Sequence, residues 1–373
     1  MVDLQSQHKK IRAEIDLAIN EVIDSATFIN GPAVTRFAKN LADYLKVKHV
    51  IPCANGTDAL QIAMMAYEFP RGSEIIVPSW TYVATVEVIA LLGYVPVFVE
   101  VNPETFNIDI EAVRSKITSR TKAIVPVHLY GQCADMEHLL SIAEESNLVV
   151  IEDTAQALGA DYTFKDGSVK KAGTMGHIGT TSFFPSKNLG CMGDGGAIMT
   201  EDSELAEKLR MISNHGQRVK YRNELAGVNS RLDTMQAAIL DVKLKYLDSY
   251  ASARNSVADK YDLAFQNMNL INVPVRSPFS THVFHQYTLR LSEQINRDQL
   301  QQDLKEVGVP TMVYYPIPNH LQPAYVGYGY KVGDMPITEA LSNSVISLPI
   351  HTEMDSAVQD IIVENVFNCI KRQ

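Results

Sequence analysis

Between residues 48 and 153, five short runs are apolar almost throughout: HVIPCA, EIIVPS, VPVFVEV, KAIVPVHLY and LVVIED. The stretches between them, TDALQIAMMAYEF, VATVEVIALLG, IDIEAVRSKI and MEHLLSIAEES, carry apolar residues at helical spacing. A strand with no polar face must be covered on both sides. The alternation therefore predicts an α/β fold, with a large, mostly parallel sheet sandwiched by helices. TTSFFP and GGAIMT add strands on either side of Lys187. Ile11, Ile15, Ile19 and Ile23 recur every four residues, so an amphipathic helix opens the chain. A helical stretch from about Asp233 to Phe265 leads out of the sheet, and HVFHQYTLRL with several helical pieces predicts a smaller C-terminal α/β domain. At 373 residues the chain has room for both, divided as 1–245 and 246–373.

The net charge of −10 argues against nucleic acid or an anionic membrane as the main partner. Cys53, Cys133, Cys191 and Cys369 are scattered, with no CxxC pair and no zinc-like spacing, so no metal site is expected. VEVIALLGYVPVFV breaks at Gly93 and Pro96, too soon to span a bilayer. The first twenty residues have no continuous apolar core of the signal-peptide kind. A cytoplasmic protein is expected.

In open α/β sheets, ligands bind beyond the carboxyl ends of the strands. Four segments fall there. In CANGTDALQ, Asn55-Gly56 makes a turn and Thr57 is placed to cap a helix whose free N–H groups can cradle a phosphate; an ordinary capped turn is the other reading. In VVIEDTAQALGA, Asp153 ends a buried strand, a costly place for a carboxylate unless a cation such as a protonated ring nitrogen faces it. A helix cap or a structural ion pair would also explain it. Gln156 can donate to the same ligand or complete a local capping turn. In SFFPSKNLGCMGDGGA, Lys187 can serve as a carbonyl-trapping amine and Ser182 can bond a phosphate oxygen, while Gly-Asp-Gly-Gly can be a plain hairpin turn. In PSWTYVATVE, Trp80 and Tyr82 can stack on a planar cofactor or simply fill core. A trapping lysine, a carboxylate for a pyridinium nitrogen, a phosphate cradle and a stacking aromatic together point to pyridoxal phosphate.

These segments, with VHLYGQCADM, GVNSRLDTMQAAIL and YPIPNHLQPAY, resemble the DegT/StrS nucleotide-sugar aminotransferases, within the fold-type-I pyridoxal-phosphate enzymes, over nearly the whole chain and in the family's order. The resemblance implies that Lys187 bonds the cofactor and shuttles protons. It implies that Asp153 pairs with the pyridinium nitrogen, that Gln156 contacts the ring's 3-oxygen, and that Tyr82, rather than Trp80, stacks. Gly56, Thr57 and Ser182 would hold the phosphate, and Asn229 would reach the phosphate of a neighbouring subunit, implying a homodimer with shared active sites. Arg231 would face an anionic group of glutamate or sugar, with an ion pair to Asp233 as the structural alternative. Arg218, with Lys220 and Arg222, would lie on a loop near the nucleotide diphosphate. Tyr314 and Tyr315 would line the sugar pocket.

The implied activity is transfer of an amino group from L-glutamate to a keto group of a nucleotide-linked hexose, feeding bacterial surface polysaccharide such as lipopolysaccharide. LYGQCAD and GVNSRLDT most resemble members that aminate C3 of UDP-linked 2-acetamido-3-oxo-hexuluronates. Tyr314 stands where that subgroup has histidine, and FKDGSVKKAGTMGH reads as an insertion, so amination of a 4-keto sugar is the alternative. A non-catalytic regulatory relative is the less favoured one.

Overall fold

The computed structural model describes residues 1–373. The strands β1 (His49–Cys53), β2 (Glu74–Pro78), β3 (Val95–Val99), β4 (Thr121–Ile124) and β5 (Val149–Asp153) lie where the apolar runs place them. A short hairpin follows, β6 (Asp161–Thr163) and β7 (Val169–Lys171), and it takes up most of the FKDGSVKKAGTMGH segment. Next come β8 (Ile178–Ser182) and β9 (Gly196–Thr200). Seven of these strands form one sheet in the order β1-β9-β8-β5-β4-β2-β3. β9 pairs antiparallel with both β1 and β8, and every other pair is parallel. The carboxyl ends of β1, β2, β5 and β8 therefore share one edge, which brings Gly56, Tyr82, Asp153 and Ser182 into one region.

Helices cover both faces, as strands buried throughout require. Gly56–Tyr67 and Ala84–Leu91 pack on one side. On the sides away from them, Pro32–Leu45 and Thr234–Leu244 share a core with the N-terminal helices, built on Phe37, Leu41, Leu240 and Leu244. The opening helix is two helices, Leu4–Lys10 and Arg12–Ser25, because Ile11 leaves helical geometry (φ −113°, ψ 16°). The isoleucine stripe is only partly used: Ile11 and Ile15 are buried, whereas Ile23 is 50% exposed. The stretch from Asp233 to Phe265 also divides, into Thr234–Leu244 and Leu247–Phe265.

A basic hairpin, β10 (Gln217–Val219) and β11 (Arg222–Asn223), stands between β9 and the helix Thr234–Leu244. Beyond Leu247–Phe265 a second sheet forms from β12 (Ile271–Asn272), β13 (Tyr287–Leu291) and β14 (Val345–Leu348), all antiparallel. With the helices Arg297–Glu306 and Ser356–Ile370 it encloses its own core, from Val257 to Ile370. Residues 313–341 leave this unit and return to the large sheet. Tyr325 and Met335 enter the large sheet's core, and the Tyr330 hydroxyl accepts the free N–H of Phe98 on edge strand β3 at 3.1 Å. No helix is long and apolar enough to cross a membrane.

Candidate active site

Lys187 lies in the connection between β8 and β9. Its neck is closed by Phe183 N to Gly195 O at 2.7 Å, Cys191 N to Phe183 O at 2.8 Å and the Cys191 thiol to Phe183 O at 2.9 Å. Inside the neck the Lys187 N–H donates to Phe184 O at 2.8 Å. Gly190 closes the turn against its own start: a Cβ there would stand 2.3 Å from Pro185 O, so only glycine fits. The GDGG stretch is thus the return into an antiparallel strand and also part of the frame around the lysine. Burial pushes the Lys187 ammonium down to about 8, and the Asp153 carboxylate pulls against that fall.

Asp153 is 7% exposed and meets no cation of the chain at ion-pair distance. Its Oδ2 accepts from the Thr85 hydroxyl at 2.8 Å and its Oδ1 from Ala155 N at 3.1 Å. The structural ion pair considered from sequence is therefore absent, and a turn, not a helix, follows β5. Gln156 does not cap its own turn. Its Oε1 accepts from Tyr130 N at 2.8 Å and its Nε2 donates to the Tyr315 hydroxyl at 3.0 Å. Tyr315 in turn packs near Tyr82, with centroids 6.3 Å apart, and edge-on to Trp80. Trp80 is core, its indole N–H donating to the Tyr130 hydroxyl at 3.2 Å, while Tyr82 is 58% exposed and offers a free ring face. Tyr314 carries the carbonyl that the Tyr130 hydroxyl grips.

At the end of β1, the helix cap is Asn55, whose side chain accepts from Asp58 N at 2.8 Å, and the helix begins at Gly56. Thr57 is thus inside the first turn and not the cap expected of it: Asn55 has the extended backbone a cap needs, and Thr57 does not. The Gly56 and Thr57 N–H groups precede the first intrahelical bond, made by Ala59 to Asn55 O, and so remain available to a ligand. Ser182 closes the other wall. A Cβ on Gly56 would lie 2.6 Å from Ser182 Cβ.

The segment bearing Asn229 is tied to this cradle by Ser230, whose hydroxyl accepts from Ala54 N at 3.0 Å. Asn229 itself is exposed and Arg231 is half-buried. No ion pair joins Arg231 to Asp233, which caps Thr234–Leu244 without a side-chain bond, so the structural alternative for that arginine is removed. Arg218 sits on the basic hairpin, exposed and 3.6 Å from Glu207. It stands apart from the cluster just described. Thr85 and Ser230 were not singled out from sequence, although both lie within quoted motifs; the signal was a hydroxyl at fixed spacing from an assigned residue.

This donor set fits pyridoxal phosphate. The free N–H groups of Gly56 and Thr57 stand beside Ser182, Asp153 is a buried carboxylate without an ion-pair partner, and burial lowers the Lys187 ammonium to about 8. A scan against family models matches residues 9–367 to the DegT/DnrJ/EryC1/StrS aminotransferase family. The chain is 44% identical to the UDP-2-acetamido-2-deoxy-3-oxo-D-glucuronate aminotransferase of Pseudomonas aeruginosa, over 98% of this chain and 99% of that one. It is 45% identical to a pleiotropic regulatory protein of Geobacillus stearothermophilus, over 98% and 97%. Among solved structures, NtdA from Bacillus subtilis with bound cofactor PMP superposes with a TM-score of 0.89 at 35% identity, covering 97% of this chain and 82% of that one. With the fold, the lysine loop and the near-complete match in agreement, the chain belongs to the DegT/DnrJ/EryC1/StrS aminotransferase family.

Proposed function

We propose that the protein moves an amino group from L-glutamate to the C3 keto group of a nucleotide-linked hexose, using pyridoxal phosphate. The observation that carries the reading is the placement of Lys187 in the closed loop between β8 and β9, at the sheet edge where Asp153 lies buried with no ion-pair partner. When bound, the cofactor supplies an exchangeable carbonyl and an electron sink. The chain's residues do the rest. Gly56 and Thr57 N–H groups with the Ser182 hydroxyl would bind the phosphate, and the exposed Tyr82 would stack on the ring. Asp153, held by Thr85, would keep a proton on the ring nitrogen. Gln156 has one N–H left for the ring's oxygen. Lys187 Nζ takes and returns the proton that moves during amine exchange, and its position near neutrality suits both directions.

Arg231, free of Asp233, is available to a carboxylate of glutamate or sugar. Tyr314 and Tyr315 line the sugar side, and Arg218 stands on the outer hairpin toward a diphosphate. Similarity to the Pseudomonas enzyme supports C3 as the aminated position and a UDP-linked sugar as substrate class. The exposed side chain of Asn229 is open to a second subunit, which supports a homodimer in which each subunit completes the other's phosphate site. We read the chain as two domains, 1–245 and 246–373, supported by the separate C-terminal core. The acidic surface and four buried free thiols support a cytoplasmic role in surface polysaccharide synthesis.

Similarity to the Geobacillus pleiotropic regulatory protein favours a second, regulatory reading. One experiment separates the two. Visible absorbance of the purified protein is followed with L-glutamate, beside Lys187→Ala. A band that glutamate bleaches in the wild type alone supports the aminotransferase. No band after adding pyridoxal phosphate removes it and leaves the regulatory reading.

A further inference from the structure

Lys243 lies in the helix Thr234–Leu244, is 1% exposed, and has no carboxylate at ion-pair distance. An unpaired ammonium is costly to bury, and an apolar residue of similar volume is ordinarily the more stable occupant. Burial pushes it down to about 8. Packing alone therefore does not account for lysine at this position. Its polar contacts do: Nζ donates to Gly190 O at 2.5 Å and lies 3.4 Å from His8 Nε2 on the first helix.

Gly190 is the residue whose α-carbon rests on the start of the lysine loop. A Cβ there would meet Pro185 O at 2.3 Å and Phe184 O at 2.9 Å. Phe184 O is the acceptor of the Lys187 N–H at 2.8 Å. A short path of direct contacts thus runs from the Lys243 ammonium, through the Gly190 peptide, to the turn that carries Lys187. The exposed side of the loop has a separate tie, Gln236 to the Met192 backbone at 2.8 and 3.2 Å. Lys243 is the tie on the buried side, and both belong to the helix that follows Asn229 and Arg231.

We infer that Lys243 is a positioning residue for Lys187: it fixes the Gly190 carbonyl and, through it, the turn that aims the catalytic amine. The inference rests on the proposed role of Lys187 and deepens it. A small displacement of a reacting group costs up to about 10²-fold in rate, so a modest shift of this turn is measurable.

The test uses the holoenzyme with Lys243→Met and Lys243→Gln. Three quantities are read besides melting temperature: kcat and KM for both substrates, the pH midpoint of the visible absorbance change, and amide exchange of the peptide spanning residues 184–191. Lys243→Met is expected to lower kcat about tenfold with KM nearly unchanged, to displace the midpoint, and to speed exchange in that peptide. A Met variant with wild-type kcat, midpoint and exchange overturns the inference, whatever its melting temperature. Where the Met variant does not fold, Lys243→Gln carries the test. Its shorter, neutral amide falls short of Gly190 O, and an unchanged midpoint and exchange overturn the inference equally. A wild type without a Lys187-dependent band overturns the proposed function, and this inference with it. A normal wild type beside an unaltered Lys243 variant overturns this inference alone.

Discussion

Gln156 donates through Nε2 to the Tyr315 hydroxyl at 3.0 Å, joining the end of β5 to the strap that returns from the C-terminal sheet. The same side chain accepts from Tyr130 N at 2.8 Å, so its amide plane is fixed from two directions. The residue expected to touch the cofactor and the residue expected to line the sugar pocket are one hydrogen-bonded unit. A change on the sugar side therefore reaches the ring side directly.

Asp153 raises the Lys187 ammonium while burial lowers it. In Asp153→Asn the raising influence is gone, so the amine falls below its present value of about 8. In cofactor-free protein, the pH curve for modification of Lys187 by an amine reagent is expected to move to lower pH. If Asp153 pairs with the ring nitrogen as proposed, activity of the loaded enzyme should fall about 10²-fold or more. A curve that stays in place or moves upward contradicts the charge relationship.

Gly56→Ala puts a methyl group 2.6 Å from Ser182 Cβ, so the two walls of the proposed phosphate cradle must move apart. Overpacking of this kind costs about 1–3 kcal/mol, and cofactor affinity should drop by about tenfold or more. Gly327→Ala, where nothing lies within 4 Å, is the matched control. Equal affinity in both variants, measured by fluorescence titration, would place the phosphate elsewhere.

Arg231→Ala removes a guanidinium that no carboxylate of the chain engages. Nucleotide sugars with a C6 carboxylate should lose about tenfold to a hundredfold in kcat/KM relative to uncharged counterparts, the range for a hydrogen bond to a charged group. Equal losses for both sugars, with a raised KM for glutamate, assign the arginine to the amino donor instead.

His282 is buried against Phe284, with ring centroids 3.8 Å apart, and Nδ1 accepts from Phe284 N at 3.0 Å. Burial, reinforced by Arg276, lowers it to about 3. The unfolded chain binds a proton near 6.5, the folded one only near 3, so this stabilisation is whole above pH 6.5 and is lost as pH falls. By pH 5.5 the loss from this residue is about 1.4 kcal/mol. His285, also lowered by burial, adds in the same direction. Urea midpoints measured from pH 7.5 to 5.5 should fall, and less steeply in His282→Gln; parallel slopes in the two proteins contradict the assignment.

The placement of the candidate site residues was legible because they are local consequences of strand ends. Asp153 ends an apolar run, Gly56 follows a turn, and Lys187 sits between two strands, each visible as a break in periodicity. The Thr57 cap and the single N-terminal helix were misread for the same reason. Spacing shows that a helix begins or continues, but the dihedral angles of Asn55 and Ile11 decide where.

The apolar alternation determined the layered α/β fold, the strands of the main sheet and the edge that gathers the candidate site, because strands buried on both faces have few other arrangements. Only the tertiary structure decided what meets what. It paired Gln156 with Tyr315, gave Thr85 to Asp153 and Ser230 to Ala54, and left Arg231 without Asp233. It also placed Lys243, remote from the site in sequence, on the carbonyl of Gly190. Periodicity specifies which face of an element is buried. The partner across the gap is set by chain return, packing and the demand that each buried polar group find a mate, and none of these is local.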